Sequence, residues 1–476
     1  MNIIKFLFVL FSSVCLNVAF GQQINFKVIR QWKYINYSWP TSESYQTAIT
    51  TSSYIPENIV IAGVTIFDNW FYLTMPRMKP GVPATLGRIP VNDVNDTAPL
   101  VSPFPTWEFN KLNDCGVLQN VQNTEIDPKG EIWIIDGGHS NSLTPTPIKN
   151  CPAKLVIFDI KSNRVVATHI FPEEVASRSA NFLYDLVVDS EREFAYITDN
   201  SRDDPGIIVF SRTENQSWKI RHSRTMKADS SAQKFEVNDV PISSPINVAG
   251  IALSPKSNNN DREVFYCPLS SLHLYSISAS VLRNRSNSNK DYSGIVKDIG
   301  VKASQSDGMI MSNQGVLYYG LLSDNSIARW DSHTSFSTNQ TILSRDFEYI
   351  QWTNSFTIDL EGNLIVLTNT LQKFVHQQLH VNLTNFWLIS AYIGEKSYLY
   401  DNATQINTSV NQSDLIVHEN DIDSSKINQN VSNRIDSNVI VNNNTISVND
   451  TNTSGTNYKI YNVFVVILLT VLCFSI

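Results

Sequence analysis

Two short stretches hold residue types and spacings that could do chemistry. His376 and His380 are four residues apart in Val375-His376-Gln377-Gln378-Leu379-His380. On a helix that spacing would bring both imidazoles to one face as metal ligands. Their flanks read as a polar insertion between strands, so a surface loop is the preferred reading and no metal is assigned. Asp136-Gly137-Gly138-His139 sets a carboxylate beside an imidazole, a pairing suited to proton transfer. Its two glycines point instead to a turn in which Asp136 caps backbone amides. There is no nucleophile elbow, HExxH zinc motif, GxGxxG loop or P-loop. No catalytic residue is assigned and no cofactor is expected.

The elements that must position any site are strands. Residues 121–160 form an apolar run, a turn at Pro128-Lys129-Gly130, the run Glu131-Ile132-Trp133-Ile134-Ile135-Asp136, a Gly-Gly loop and a further run from Lys154. β-branched and aromatic residues bounded by Gly, Pro and Asn read as strands joined by turns. The same grammar begins again near Asn58, Phe182, Asn247, Ser306 and Phe356, which makes six copies. Sustained helical periodicity is scarce, and residues 40–53 read as polar and irregular. Six such units predict an all-β fold, a six-bladed β-propeller over residues 22–396. A large β-sandwich or two stacked β-domains is the competing architecture.

In a propeller the natural site is the central channel, where innermost strands and their loops converge. The polar ends of the repeated strands are the candidates: Asp136 and Gly137, Asp199 and Asn200, Ser323 and Asp324, Thr368 and Asn369. With aromatics such as Phe67, Trp70 or Phe356 they could hold an amine by charge, hydrogen bonding and cation–π contact. Equally, such polar ends could serve only the backbone groups where strands finish.

The ends of the chain and its cysteines suggest an address. Residues 1–21 have the charged, apolar and small-residue order of a secretory signal peptide. Cys115 stands just before the 121–160 unit and Cys151 lies after its Gly-Gly loop, and a disulfide between them would pin the start of the unit to that loop. Cys267, within Val264-Phe265-Tyr266-Cys267, reads as a buried thiol in preference to an intermolecular partner. N-glycosylation sequons fall at Asn36, Asn95, Asn215, Asn284, Asn339 and Asn382, with more at Asn402 and Asn407 and beyond. Residues 397–457, rich in Asn, Ser, Thr and Asp, read as a disordered glycosylated stalk. Residues 458–476 then match a GPI-attachment signal with Asn452 or Ser454 as the anchored residue, a transmembrane tail being the alternative. At a net charge of -8 with only 17% charged residues, no nucleic-acid footprint is present. Membrane association is expected only through the C-terminus.

The chain resembles the insect Yellow and major royal jelly protein family. The resemblance is carried in order by Tyr54-Ile55-Pro56-Glu57-Asn58, Met75-Pro76-Arg77, Gly81-Val82-Pro83-Ala84-Thr85-Leu86 and Glu131 to Gly138. It continues through Cys151-Pro152-Ala153-Lys154-Leu155, Tyr196-Ile197-Thr198-Asp199, Pro268-Leu269-Ser270-Ser271 and Leu364 to Asn369. It implies a six-bladed propeller. Many members have a second disulfide, but Arg329 stands at its first position here and no cysteine follows Cys267 before the tail. Closure of the ring is therefore expected to rest on strand pairing and packing. Some salivary members bind biogenic amines in the channel, which implies a ligand contact for Asn369, with Thr353 and Asn354 in a nearby segment. Leu371 stands where an aromatic can occur. Other members are linked to melanisation, with dopachrome-converting activity in some, and others to nutrition. The expected function is a secreted or cell-surface glycoprotein that binds a small aromatic or amine ligand and is associated with pigmentation. The alternatives are a dopachrome-converting isomerase and a structural or nutritive glycoprotein.

Overall fold

Each turn sets the strand that follows it. Gly130 takes a left-handed φ of +87° at the tip of one hairpin, where a Cβ would fall 2.7 Å from the Phe67 ring. Glycine is therefore needed twice over, for the backbone angle and for the close approach of the neighbouring blade. The apolar run behind it, Glu131–Asp136, is a strand buried along all but its first residue. Near-continuous apolar runs of this kind suit strands covered on both faces.

The computed structural model describes residues 24–93, 96–288 and 294–400. These form six four-stranded antiparallel sheets, the blades of a six-bladed β-propeller. The innermost strands are, in order, Gly63–Phe67, Val121–Ile126, Leu183–Asp189, Val248–Leu253, Met309–Met311 and Trp352–Ile358. Five blades are built from consecutive strands. The sixth runs Trp352–Ile358, Asn363–Asn369, Phe386–Tyr392 and then Lys27–Trp32 from the other end of the chain. Lys27 pairs with Ser390 and Trp32 with Phe386. The same segment also reaches the first blade: Gln31 N–H donates to Thr97 O at 2.7 Å and Trp32 Nε1 to Pro99 O at 3.0 Å. The ring thus closes through strand pairing, and the Cys115–Cys151 disulfide lies elsewhere, with its Cα atoms 5.2 Å apart. Cys267 is a buried free thiol.

Three insertions depart from the expected pattern. Residues 40–53 hold a helix, Ser42–Thr50, whose N-cap Thr41 accepts from Ser44 N–H at 3.0 Å while the Ser44 hydroxyl answers the Thr41 amide. Serine replaces the usual Glu or Gln of a capping box, and only Ala48 of the helix is buried, so its periodic signal is weak. A hairpin, Phe235–Val237 with Val240–Ile242, stands between the third and fourth blades. Its two-residue turn, Asn238-Asp239, has both φ angles positive (48° and 61°), the geometry of tight hairpins. A short helix, Leu371–Val375, occupies the insertion in the sixth blade. Packed structure also passes the boundary expected at residue 396, because Ser397, Tyr398 and Leu399 are buried. The expected stalk beyond Tyr400, the tail, the leader 1–21 and Asn95, Asn402, Asn407, Asn452 and Ser454 lie outside the described residues.

Candidate functional site

Four of the innermost strands carry register shifts on the channel side: between Val121 and Thr124, Leu183 and Leu186, Val248 and Ile251, and Thr353 and Ser355. A bulge re-aims a side chain that strict alternation would bury in the sheet. The skipped positions include Asn123, Tyr184, Asp185 and Asn354. Together with Glu125 and Asp307 they place a column of polar groups along the channel axis.

Asp307 is the best-defined member. It is fully buried, and the Tyr184 hydroxyl lies 2.9 Å from each of its carboxylate oxygens while Trp352 Nε1 donates at 2.6 Å. Phe182 stacks on Tyr184 with ring centroids 6.0 Å apart, and Phe235 of the hairpin lies 6.4 Å from Trp352. One carboxylate is thus held by two aromatic side chains, each of which packs against a further phenylalanine. Burial holds the Asp307 carboxyl up at about 7, against the pull of the Trp352 and Tyr184 hydrogen bonds.

Further along, Asp185 accepts from Asn123 Nδ2 at 2.7 Å and from Leu186 N–H at 2.8 Å. Burial, with the charge of Asp307 adding to it, raises its carboxyl to about 7. Glu125 is raised by burial to about 8 and meets the hydroxyl of Tyr398 at 3.3 Å. That hydroxyl also receives Val188 N–H at 2.9 Å, so Tyr398 plugs this end of the channel. Between the plug and Asp185 remains a cavity of about 20 Å³ lined by Thr65, Asn123, Glu125, Asp185 and Phe356 among others. That is room for about one water.

The hairpin covers the Asp307 end. Asn238 Nδ2 donates to Phe347 O at 2.6 Å, and Pro241 O lies 2.9 Å from His376 Nε2. Phe235, Val237, Ile242, Trp352, Leu371 and Phe374 belong to one buried apolar cluster. Leu371 therefore packs under this roof.

The positions expected from sequence are divided by the fold. Asn369 and Asn354 come together: Asn369 Nδ2 donates to Asn354 Oδ1 and to Ile61 O, both at 2.9 Å, and Asn369 Oδ1 caps Leu371 N–H. Thr368 turns to Tyr349 O. Thr353 is buried against Gly320, where a Cβ would fall 1.6 Å from its hydroxyl. The Asp136 carboxylate is consumed by Gln119, Asn120 and Gly138 amides at 2.8–2.9 Å and by buried Lys154 at 3.2 Å. Gly138, at φ +73°, passes so close to Cys151 and Pro152 that a Cβ would fall 2.3 Å from a carbonyl oxygen. His139 Nδ1 stays on Gly137 O at 2.9 Å, and burial lowers its pKa. Asp199 repeats the scheme in the third blade, capping Phe182 and Ser201 amides and pairing with Lys219 at 2.7 Å. Asn200 accepts from Asn247 N–H. Ser323 is exposed, and Asp324 pairs with Arg345 at 2.5 Å. Phe67 packs at the Gly130 turn and Trp70 lies under Arg88 at 4.2 Å. His376 and His380 lie exposed beyond the short helix, and among the described residues no metal-ligating cluster forms.

The carboxylates that do face one another, Glu125, Asp185 and Asp307, are not among the residues expected from the sequence. Their signal was an acid inside a strand that otherwise reads as core: Asp185 in Leu183-Tyr184-Asp185-Leu186 and Glu125 in Thr124-Glu125-Ile126. Asp307 stands just before the shortest inner strand, Met309–Met311.

Six blades around a bulge-lined polar channel define a class of propeller, and comparison with known proteins narrows it. The major royal jelly protein model matches residues 119–397. The chain belongs to that family. It is 26% identical over 405 residues to dopaminechrome tautomerase of Drosophila melanogaster, covering 80% of this chain and 86% of the relative. It is 26% identical to major royal jelly protein 1 of Apis mellifera, covering 81% and 94%. It is 24% identical to protein yellow of Drosophila erecta, covering 76% and 67%.

Proposed function

We propose that this chain is a Yellow-type propeller that acts outside the cell, binds a small aromatic amine at the hairpin-covered end of its channel and serves pigmentation. The observation that carries this reading is Asp307, a buried carboxylate bonded by Tyr184 and Trp352, which are backed in turn by Phe182 and Phe235. An ammonium group would meet the carboxylate, and the aromatic ring would lie among rings whose faces attract cations. Asn354 and Asn369, already paired, supply further donors and acceptors beside it. The ~20 Å³ cavity lies at the other end, beside Glu125 and Tyr398, while Phe235 and Trp352 are buried over Asp307, so an amine reaches the carboxylate by lifting of the hairpin. The disulfide fits an oxidising compartment, and a lipid anchor at the C-terminus would hold the protein at the outer surface. Calorimetric titration with dopamine, serotonin and octopamine tests the reading. At least one should bind, and Asp307→Asn should weaken it by roughly tenfold or more, as expected on losing a charge-assisted contact. Absence of heat with all three would sink it.

A second reading is favoured by the titration range of the channel. Asp185 and Asp307 at about 7 and Glu125 at about 8 are carboxyls poised to exchange protons near neutrality. One could take a proton from carbon while another returns one to oxygen, which is all an aminochrome isomerisation requires. The similarity to a relative named as a tautomerase supports it. Decay of the aminochrome absorbance with wild type, but not with Asp185→Asn or Asp307→Asn, would establish it.

A further inference from the structure

The seam where the ring closes carries a feature independent of the channel. A recess of about 340 Å³ opens between the closing strand and the first blade. Its wall includes Trp32, Tyr34, Asn36, Thr97, Leu100 and Thr384. Asn36 heads the sequon Asn36-Tyr37-Ser38, and Thr384 ends the sequon Asn382-Leu383-Thr384. Two acceptor sequences nearly 350 residues apart thus border one pocket, because the first strand of the chain completes the last blade.

The local chemistry suits a sugar. Asn36 Oδ1 accepts from Tyr37 N–H at 2.9 Å and Trp39 Nε1 at 3.0 Å, which fixes the amide by its oxygen. Its nitrogen, the atom that would carry a glycan, makes none of these bonds. Asn382 is exposed. Asn339 differs, since its Nδ2 is spent on Ser335 O and Thr338 Oγ1. Tyr34 and Leu100, which line the recess, and Leu383, next to the lining Thr384, are 41%, 51% and 56% exposed among the described residues. The recess volume is within the ~300–1,000 Å³ of small-ligand pockets.

We infer that Asn36 and Asn382 are glycosylated and that the first N-acetylglucosamine residues of these glycans sit in the seam recess, covering the ring closure. In the attachment the asparagine nitrogen bonds to the anomeric carbon and gives up one proton, while the polyprenyl diphosphate that carried the oligosaccharide leaves. The apolar face of the sugar ring then packs on Tyr34 and Leu100, and its acetamide and hydroxyls face the polar rim.

The test uses full chain secreted from insect cells with mannosidase inhibited, so that glycans stay cleavable. Glycopeptide mass spectrometry should find both asparagines occupied; either one empty overturns the inference. Trimming by endoglycosidase H leaves one N-acetylglucosamine on each site and should leave Tm unchanged. Complete removal by peptide N-glycosidase F should lower Tm by about 2 °C or more. In Tyr34→Ser, where the seat is lost, the two digests should melt together. Equal Tm after both digestions of the wild type, or an undiminished difference in Tyr34→Ser, would show that the sugars do not sit there.

Discussion

Replacing Asp307 with Asn should change how stability depends on pH without unfolding the chain. The carboxyl is buried and titrates at about 7 in the folded state, whereas in an unfolded chain it titrates near ~3.9. Between those values the folded chain keeps a proton that the unfolded chain has lost. Stability attributable to this group is therefore greatest at low pH and falls as pH rises towards 7. One proton corresponds to about 1.4 kcal/mol per pH unit, and the approach to the folded pKa reduces the total between pH 5 and 7 to about 2 kcal/mol. In the amide, the carbonyl oxygen still accepts from Trp352, and the Tyr184 hydroxyl can rotate to accept from the new NH₂. Asp185 loses a neighbouring charge, which acts in the same direction. Urea denaturation at pH 5, 6 and 7 measures the difference. Asp307→Asn should gain about 2 kcal/mol on wild type across that window. Parallel curves, or a variant that loses ground as pH rises, would refute the assignment of Asp307 as a buried, neutral acid.

Three further outcomes follow from the same geometry. Asn238→Gly keeps a residue suited to positive φ but removes the anchor on Phe347 O, so amide exchange in residues 235–242 should speed by about fivefold while the blades stay protected. Unchanged exchange would show that the hairpin is held by other means. Cys115→Ser with Cys151→Ser opens a loop of 36 residues and should cost about 3–4 kcal/mol by denaturant titration; a loss under 1 kcal/mol would place the constraint elsewhere. A chain beginning at Ile35 lacks the closing strand and exposes the edge of Phe386–Tyr392, so it should associate on a sizing column and return to monomer with a peptide of residues 24–34. A stable monomer without the peptide would contradict closure by that strand.

How far the residues foretold this arrangement depended on the kind of signal. Turns such as Pro128-Lys129-Gly130 and Asp68-Asn69 lie between apolar runs, and both are hairpins in the structure. The count of six blades followed from such local chemistry. The channel did not. A bulge shifts register by one residue, so a reading by alternation assigns Asp185 and Asn123 to the wrong face. Conversely, Asp136 and Asp199 look exposed at the ends of strands yet are spent on loop amides and on Lys154 and Lys219, partners 18 and 20 residues away. Asn369 and Asn354 meet across a bulged pair of strands, which the spacing alone could not show. The hairpin roof was hidden because its strands are only three residues each.

Proton uptake or release on ligand binding tests the central claim most directly. At pH 6 most Asp307 carboxyls hold a proton. An arriving ammonium should expel it, and calorimetry of dopamine binding in buffers of different ionisation enthalpy would register the release. The expected result is release approaching one proton per dopamine in the wild type and almost none in Asp307→Asn, which also binds more weakly. Dopamine binding with equal affinity in both proteins, and with no proton released in either, would contradict a site built around Asp307.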